Sequence, residues 1–406
     1  MGITESLRVA TPDFYDYERR APSTVRVDDR FVVVAWDDGV ELAAFDLWLY
    51  ENAVGIGTDP STREGLVDPA ELPDDLAVVD ARIDADGELV VVFGDGRSSR
   101  FASGWLRHVA ERRHVPDAWL PEPVAWTAAT MPIPPTHDGA HIDDDPAVLE
   151  RFVDDLVRFG VARLRGVPID PDLGDRLGRR LGGIRTTNFG TLWDVQALDA
   201  QDGDSDTNST ANTTARLGPH TDLPTRETPP GFQFLHCLRN AAVGGGSTFA
   251  DGAAIVEHLR EHDPDDFEAL TTLRWIFANR GRGIDHRWSG PLIDLGVTGS
   301  PLTLRAFYPV RAFPDMDPAD VPRAYDALRR FSRLAADPRF EMRFVLEPGD
   351  LVGFDNRRVL HGREQFERTG ARHLRGWYVD HDEIRSFARV ANRAAEARRR
   401  EEQRPS

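Results

Sequence analysis

The sequence predicts an α+β chain whose larger part is a double-layered β-barrel with helices packed outside, preceded by a small β-rich domain. Three observations predict this. Short apolar runs bounded by turn residues recur along the chain, helical patterns interrupt them irregularly, and a proline-rich stretch separates an early group of strands from a later one. A doubly wound parallel sheet would alternate one strand with one helix, and this pattern does not.

In the first region Phe31–Trp36 and Val40–Phe45 flank an Asp37-Asp38-Gly39 turn, and Val78–Ile83 and Leu89–Phe93 flank another at Asp86-Gly87. A short helix begins near Ser103 with Trp105, Leu106 and Val109 on one face. Pro116–Pro135 has no period and reads as a linker or an ordered connecting strap. Asp145 can then cap a helix with Pro146 in its first turn, and Val148, Leu149, Phe152, Val153, Leu156 and Val157 form one stripe ending at Gly160. Strand-like segments follow at Val161–Arg165, Phe232–Leu238, Leu302–Phe307, Phe340–Leu346, Leu351–Phe354 and Leu374–Val379, with helices at Ala253–Arg260 and Ala319–Ala335. The end, from Val390, is an arginine- and glutamate-rich helix expected to fray. The expected organisation is a β-rich domain at 1–115, a linker at 116–140, the main domain at 141–390 and a charged tail at 391–406.

Composition narrows the chemistry. With 49 basic and 68 acidic residues the net charge is −19, which repels phosphate backbones and anionic lipid, so no nucleic acid and no membrane partner is expected. No lysine occurs, which removes lysine Schiff bases and the lysine of a phosphate-binding P-loop. The single cysteine, Cys237, allows no intrachain disulfide and no thiolate metal cluster; it reads as a small buried hydrophobe. The start lacks an apolar leader and no apolar run approaches the ~18 residues of a membrane span, so a soluble cytoplasmic protein is expected.

Metal chemistry, if present, must therefore use histidine and carboxylate. Two His-x-Asp triplets occur, His141-Ile142-Asp143 and His220-Thr221-Asp222, and in extended chain the first and third residues face the same way. The first lies in an acidic run leading into a helix cap and is better explained by capping. The second follows a long polar loop and precedes an apolar strand, which places it at a barrel mouth. His361, just beyond another strand, is the strongest candidate for a third ligand. Two histidines and one carboxylate leave three octahedral positions open, as non-haem Fe(II) oxygenases require, whereas closed zinc sites leave no such room. Arg372 follows in a strand-like segment, with a guanidinium fork suited to a carboxylate.

The ordered set Leu217-Gly218-Pro219-His220-Thr221-Asp222-Leu223-Pro224-Thr225-Arg226, Gly231–Leu238, Gly244–Gly252, Glu347-Pro348-Gly349-Asp350, Phe354-Asp355-Asn356, His361-Gly362-Arg363 and Arg372-His373-Leu374 resembles the γ-butyrobetaine hydroxylase-like branch of the taurine dioxygenase superfamily. The resemblance implies a double-stranded β-helix, or jelly roll, that uses Fe(II), 2-oxoglutarate and O2 to hydroxylate an aliphatic carbon of a small molecule, releasing succinate and CO2. It implies that His220, Asp222 and His361 ligate the metal and that Arg372, with Ser247, holds the distal carboxylate of 2-oxoglutarate. His236 and His373 are expected to be core or supporting residues and not ligands. Asp222 argues for oxygenation, since related halogenases carry a small residue there.

Carried over position by position, the substrate site would comprise Phe189, Trp193, Asn212 and Tyr378 as the counterpart of an aromatic cage, with Asn208 near an expected carboxylate-binding position. Asn212 stands where an aromatic ring is expected, so the cage is incomplete; the expected substrate is a small amine, betaine or amino-acid-like molecule, with γ-butyrobetaine a minority option. The family's amino-terminal zinc site has no cysteines in Ala53–Pro60, and its histidine position falls near Arg97. That module is expected to be structural or to support a homodimer. Two other classes stay open: a metal-dependent hydrolase on a barrel, and a non-catalytic iron-binding regulator.

Overall fold

The computed structural model describes residues 9–196, 214–281, 283–296, 301–306, 310–367 and 371–402. The chain divides into two compact units, Met1–Ala118 and Trp119–Ser406. In the first, β1 (Thr24–Asp28), β2 (Phe31–Ala35) and β3 (Glu41–Phe45) form an antiparallel sheet followed by α1 (Asp46–Glu51). A second antiparallel sheet, β4 (Val78–Ile83), β5 (Leu89–Phe93) and β6 (Ser98–Phe101), leads into α2 (Ser103–Ala110). Both hairpins read from turn residues are present, and Gly39 and Gly87 take the positive φ that those turns need. Val32, Val34, Leu49, Leu89, Val91, Phe93 and Leu106 share this unit's core.

The second unit begins with β7 (Thr136–Asp138), α3 (Pro146–Phe159), β8 (Val161–Arg165), α4 (Leu173–Arg180) and β9 (Trp193–Gln196). Then come β10 (Leu217–His220), β11 (Phe232–Asn240), β12 (Val243–Gly244), β13 (Ser247–Asp251), α5 (Gly252–His262) and α6 (Pro264–Thr272). An excursion follows through β14 (Trp275–Gly281), β15 (Ile284–Gly290), β16 (Ile293–Leu295), β17 (Pro301–Leu304), β18 (Arg311–Pro314) and α7 (Val321–Ala335). The chain returns through β19 (Glu341–Phe344), β20 (Leu351–Asp355), β21 (Val359–Arg363), β22 (Phe366–Glu367) and β23 (Arg372–Val379), and ends in α8 (His381–Glu402).

Two sheets make the barrel. The larger runs β7-β8-β20-β11-β23-β9 and the smaller β10-β21-β13-β19. From β10 onward the chain crosses repeatedly between them, which is jelly-roll winding. Their inner faces meet through Cys237, Val352, Phe354 and Leu374 on one side and Phe249, Met342 and Val359 on the other, with Phe249 edge-on to Phe354 at 5.3 Å between ring centroids. The outer face of the larger sheet is covered by α3, α4 and α8 through Phe152, Leu156, Leu177, Phe234, Trp377 and Ile384. As the sequence predicts, Asp145 caps α3 by accepting from the Ala147 N–H at 3.0 Å, and Gly160 closes it with φ 73°.

Of the two alternatives that the sequence leaves open for Pro116–Pro135, the structure shows the ordered strap: the Trp126 indole N–H donates to the Phe159 carbonyl at 2.8 Å, and Trp126 is buried. Its order comes from tertiary partners and not from a local period. Two features differ from the sequence reading. The last helix is longer than expected, running unbroken across Val390, because Ile384 and Ala388 are buried against the larger sheet and the Asn392 amide donates to the Trp119 carbonyl at 2.9 Å. The expected strand Leu302–Phe307 is Pro301–Leu304, and Phe307 lies outside the described residues.

Candidate active site

The smaller sheet brings the histidines together. β10 runs antiparallel to β21 so that His220 is paired with His361, and a bulge between Leu217 and His220 accommodates Gly218-Pro219, where proline has no N–H for the ladder. Gly362 makes the approach feasible, since a Cβ there would lie 2.7 Å from the Leu217 carbonyl and from Thr248 Oγ1. The two imidazole centroids are 4.1 Å apart. The Nδ1–H of His220 donates to the Gly218 carbonyl at 2.9 Å, which leaves Nε2 to face Asp222 Oδ1 at 3.3 Å. Nε2 of His361 is 3.8 Å from Asp222 Oδ2. One donor atom from each of the three residues lies within 4.8 Å of the others. The alternative triplet takes no part: Asp143 pairs with Arg176, and Ile142 is buried beneath it.

The loop carrying Asp222 is held on both sides. The Asp222 N–H donates to Asn356 Oδ1 at 2.6 Å, and the Asn356 amide donates back to the Asp222 carbonyl at 3.0 Å. The Thr221 hydroxyl donates to the Leu304 carbonyl at 3.2 Å and accepts from the Ala306 N–H at 3.0 Å. Leu223 next to it takes φ 52°, a left-handed conformation that costs leucine on the order of 1–3 kcal/mol. Buried Arg305 offsets that cost by donating to the carbonyls of Pro224, Arg226 and Glu227 while its guanidinium lies 3.5 Å from the Trp288 ring centroid. The sequence reading missed Arg305 and quoted Asn356 in a motif without giving it a role; their partners are about eighty and more than a hundred and thirty residues away in the chain.

Electrostatics suit a cationic ligand. Burial pushes the His361 imidazole down to about 3, with neighbouring His220 adding to the effect, so its ring is neutral near pH 7. Burial would raise the Asp222 carboxyl, but His361, His220 and a hydrogen bond from Tyr378 outweigh it and hold it well below the usual carboxylate range. The Tyr378 hydroxyl donates to Asp222 Oδ2 at 2.7 Å. Two imidazoles and an ionised carboxylate are the donor set of an open-sided non-haem iron site, and they fit that metal.

The cluster lines a cavity of about 370 Å3. Arg372 and Ser247 line it too, from β23 and β13. Arg372 is 7% exposed, rests against the Phe366 ring and has no carboxylate partner among the described residues. Arg363, on β21 of the smaller sheet, is a second buried guanidinium lining the cavity and donates to the Ala215 carbonyl at 3.0 Å; the sequence reading gave it no role. Of the substrate candidates, Phe189, Trp193 and Tyr378 line the cavity. Trp193 stacks on Tyr378 with centroids 4.3 Å apart, lying across Gly376, where a Cβ would come within 2.7 Å of the indole. Asn208 and Asn212 lie outside the described residues. Asn188, Thr225, Gln233 and Asn279 also line the cavity and were not singled out. Gln233 had a legible signal, a lone polar residue in the buried apolar run Phe232–Leu235. His236 is fully buried on β11, and His373 on β23 bonds Asp194 at 2.7 Å; neither belongs to the cluster.

A jelly roll with two histidines and a carboxylate gathered at one cavity defines the class of jelly-roll metal-dependent oxygenases. Residues 129–378 match the family described as taurine catabolism dioxygenase TauD, TfdA family. The chain is 39% identical to a γ-butyrobetaine dioxygenase of Pseudomonas sp. over 89% of this chain and 94% of the relative. It is 32% identical to the dioxygenase str8 of Strobilurus tenacellus, over 80% and 79%, and 28% identical to a human γ-butyrobetaine dioxygenase, over 76% and 81%. The chain belongs to the TauD/TfdA family. It is a dioxygenase that depends on Fe(II) and 2-oxoglutarate, an oxidoreductase.

Proposed function

We propose that the enzyme hydroxylates an aliphatic carbon of a small amine, betaine or amino-acid-like substrate, with iron held by His220, Asp222 and His361 and the distal carboxylate of 2-oxoglutarate held by Arg372 and Ser247. The observation that carries this reading is the presence, in one cavity, of the three-residue cluster and a buried guanidinium that no carboxylate among the described residues neutralises. When bound, iron with 2-oxoglutarate and O2 supplies oxidative decarboxylation to succinate coupled to attack on a C–H bond. The chain's own residues bind and orient. Arg372 offers a fork to a carboxylate, and its burial strengthens that pairing. The Trp193–Tyr378 stack and Phe189 offer ring faces to a cationic head, as the resemblance to γ-butyrobetaine dioxygenases supports. The apolar side chains of Leu217, Leu223, Leu235 and Leu374 line the cavity and limit water around the reacting carbon.

Anaerobic titration with Fe(II) and 2-oxoglutarate tests the reading: a weak visible metal-to-ligand charge-transfer band is expected, followed by succinate release on admitting O2. A hydrolase would use neither Arg372 nor the cosubstrate. Absence of the band, with iron bound, overturns the proposal.

A further inference from the structure

The loop that follows Asp222 has no secondary structure to satisfy its backbone. Between β10 and β11 it contains Pro224, Pro229 and Pro230, which have no N–H for a ladder, so its carbonyls need donors from elsewhere in the chain. Arginines supply most of them. Arg305 donates to the carbonyls of Pro224 at 2.7 Å, Arg226 at 2.5 Å and Glu227 at 2.7 Å. Arg185 donates to those of Thr228 at 2.6 Å and Pro229 at 3.2 Å, and Arg357 donates twice to Pro229, at 3.1 and 2.8 Å. Each arrives from a different part of the chain. Arg305 follows β17 and lies on the Trp288 ring of β15, Arg185 precedes β9 and pairs with Asp380 at 2.8 Å, and Arg357 stands in the turn between β20 and β21.

This brace bears on the carboxylate of Asp222 from both sides. Upstream, the Thr221 N–H donates to the Ala306 carbonyl at 2.9 Å and its hydroxyl to the Leu304 carbonyl, so the two neighbours of Arg305 hold the residue before Asp222. Downstream, Leu223 keeps φ 52° between Asp222 and the first braced carbonyl, a conformation that persists in leucine only where surrounding contacts impose it. A loop released from the arginines would return Leu223 to negative φ and turn the Asp222 side chain away from the two imidazoles. A guanidinium only 2% exposed is costly to bury, and in this place its donors all serve the loop. We infer that Arg305, supported by Arg185, is a positioning residue of the metal site that holds the ligand loop in the strained form that binds iron. The inference rests on the ligand assignment above and extends it to side chains that act on iron only through the loop.

The test compares Arg305→Lys, Arg185→Gln and Phe331→Leu with the wild-type enzyme. A lysine ammonium is a point charge and cannot span three carbonyls while lying on a ring, so Arg305→Lys removes most of the brace and keeps the charge. Phe331 belongs to the core with Ile255, Leu259 and Phe277 and is the control for lost stability alone. Fe(II) is titrated anaerobically into each metal-free protein by calorimetry, well below its melting temperature, and 2-oxoglutarate is titrated by the charge-transfer band at saturating iron. Arg305→Lys should raise the iron dissociation constant about tenfold, the effect typical of residues that orient a metal ligand, and Arg185→Gln about threefold. The 2-oxoglutarate constant should stay within about twofold, because Arg372 and Ser247 are carried by β23 and β13 and not by the loop. Phe331→Leu should lower the melting temperature and leave iron affinity within twofold. Iron affinity within twofold of wild type in Arg305→Lys, or in Arg185→Gln where the first variant does not fold, overturns the inference. So does an equal loss of iron affinity in Phe331→Leu, which would make the effect one of general stability. Failure of the wild type to bind iron sinks the ligand assignment and this inference together, whereas wild-type binding with unaltered arginine variants sinks this one alone.

Discussion

Removing the Tyr378 hydroxyl while keeping its ring, as in Tyr378→Phe, should weaken iron binding by about ten- to a hundredfold. The structure sets the size of the effect. The hydroxyl donates to Asp222 Oδ2 at 2.7 Å, which leaves Oδ1, 3.3 Å from His220 Nε2, as the oxygen turned toward a shared ligand. A hydrogen bond to a charged acceptor contributes about 1.5–3 kcal/mol, equivalent to roughly ten- to a hundredfold or slightly more in an equilibrium that needs the carboxylate in this orientation. The free enzyme also makes the bond, so part of the loss should appear as lower stability and the effect on iron should fall in the lower half of that range. Phenylalanine preserves the stacking on Trp193, whose ring lies 4.3 Å away, so any role of residue 378 as an aromatic wall is retained. The assay is anaerobic calorimetric titration of Fe(II) into the metal-free protein, with thermal melting alongside and Tyr378→Leu, which loses ring and hydroxyl together, for comparison. Iron affinity within twofold of wild type in Tyr378→Phe would refute the reasoning and leave Tyr378 as a ring alone.

The remaining predictions concern the cosubstrate, the ligands, the thiol and the metal count. Arg372→Ala should raise the dissociation constant of 2-oxoglutarate at least about thirtyfold, with Arg372→Lys recovering only part of it; an unchanged value by band titration would move the role to Arg363, since Arg375 is committed to Asp194 and the Pro171 carbonyl. His220→Ala, Asp222→Ala and His361→Ala should each abolish succinate release without altering circular dichroism, and full activity in any of them, with iron retained, defeats the ligand assignment. Cys237 is fully buried and burial pushes its thiol up to about 12, so at pH 8 it is protonated as well as inaccessible, and iodoacetamide should label it only after denaturation; rapid labelling of the folded enzyme contradicts this. Elemental analysis should find one metal per chain. In the first unit the Tyr50 hydroxyl donates to Asp95 at 2.9 Å and accepts from Arg97 at 2.9 Å, and a guanidinium offers no lone pair to a metal; a second tight metal surviving mutation of His220 and His361 would count against the prediction.

The sequence by itself determined what local physics and residue chemistry can express. Turn residues fixed the hairpins of the first unit, Asp145 and Gly160 fixed the ends of α3, and the lack of lysine and of a second cysteine left histidine and carboxylate as the available metal chemistry. His220, His361 and Arg372 stood out in the sequence as members of one ordered set of motifs, and the structure brings His220, Asp222 and His361 together. Tertiary structure decided everything that depends on contacts between distant segments. The helix Pro264–Thr272 and the Trp275–Gly290 hairpin carry weak local signals and exist because they pack on the core formed by Ile255, Leu259, Phe277 and Phe331. The clamps of Asn356 on Asp222 and of Arg305 on the Pro224–Glu227 loop join residues that share no local pattern, and only the pairing of sheets brings them within hydrogen-bond reach. Side-chain direction followed the same rule: a one-residue shift in the register of β11 would turn Gln233 into the helix-covered core and Phe234 into the cavity, and that register is set by burial of both faces of the sheet, which one strand read alone cannot report.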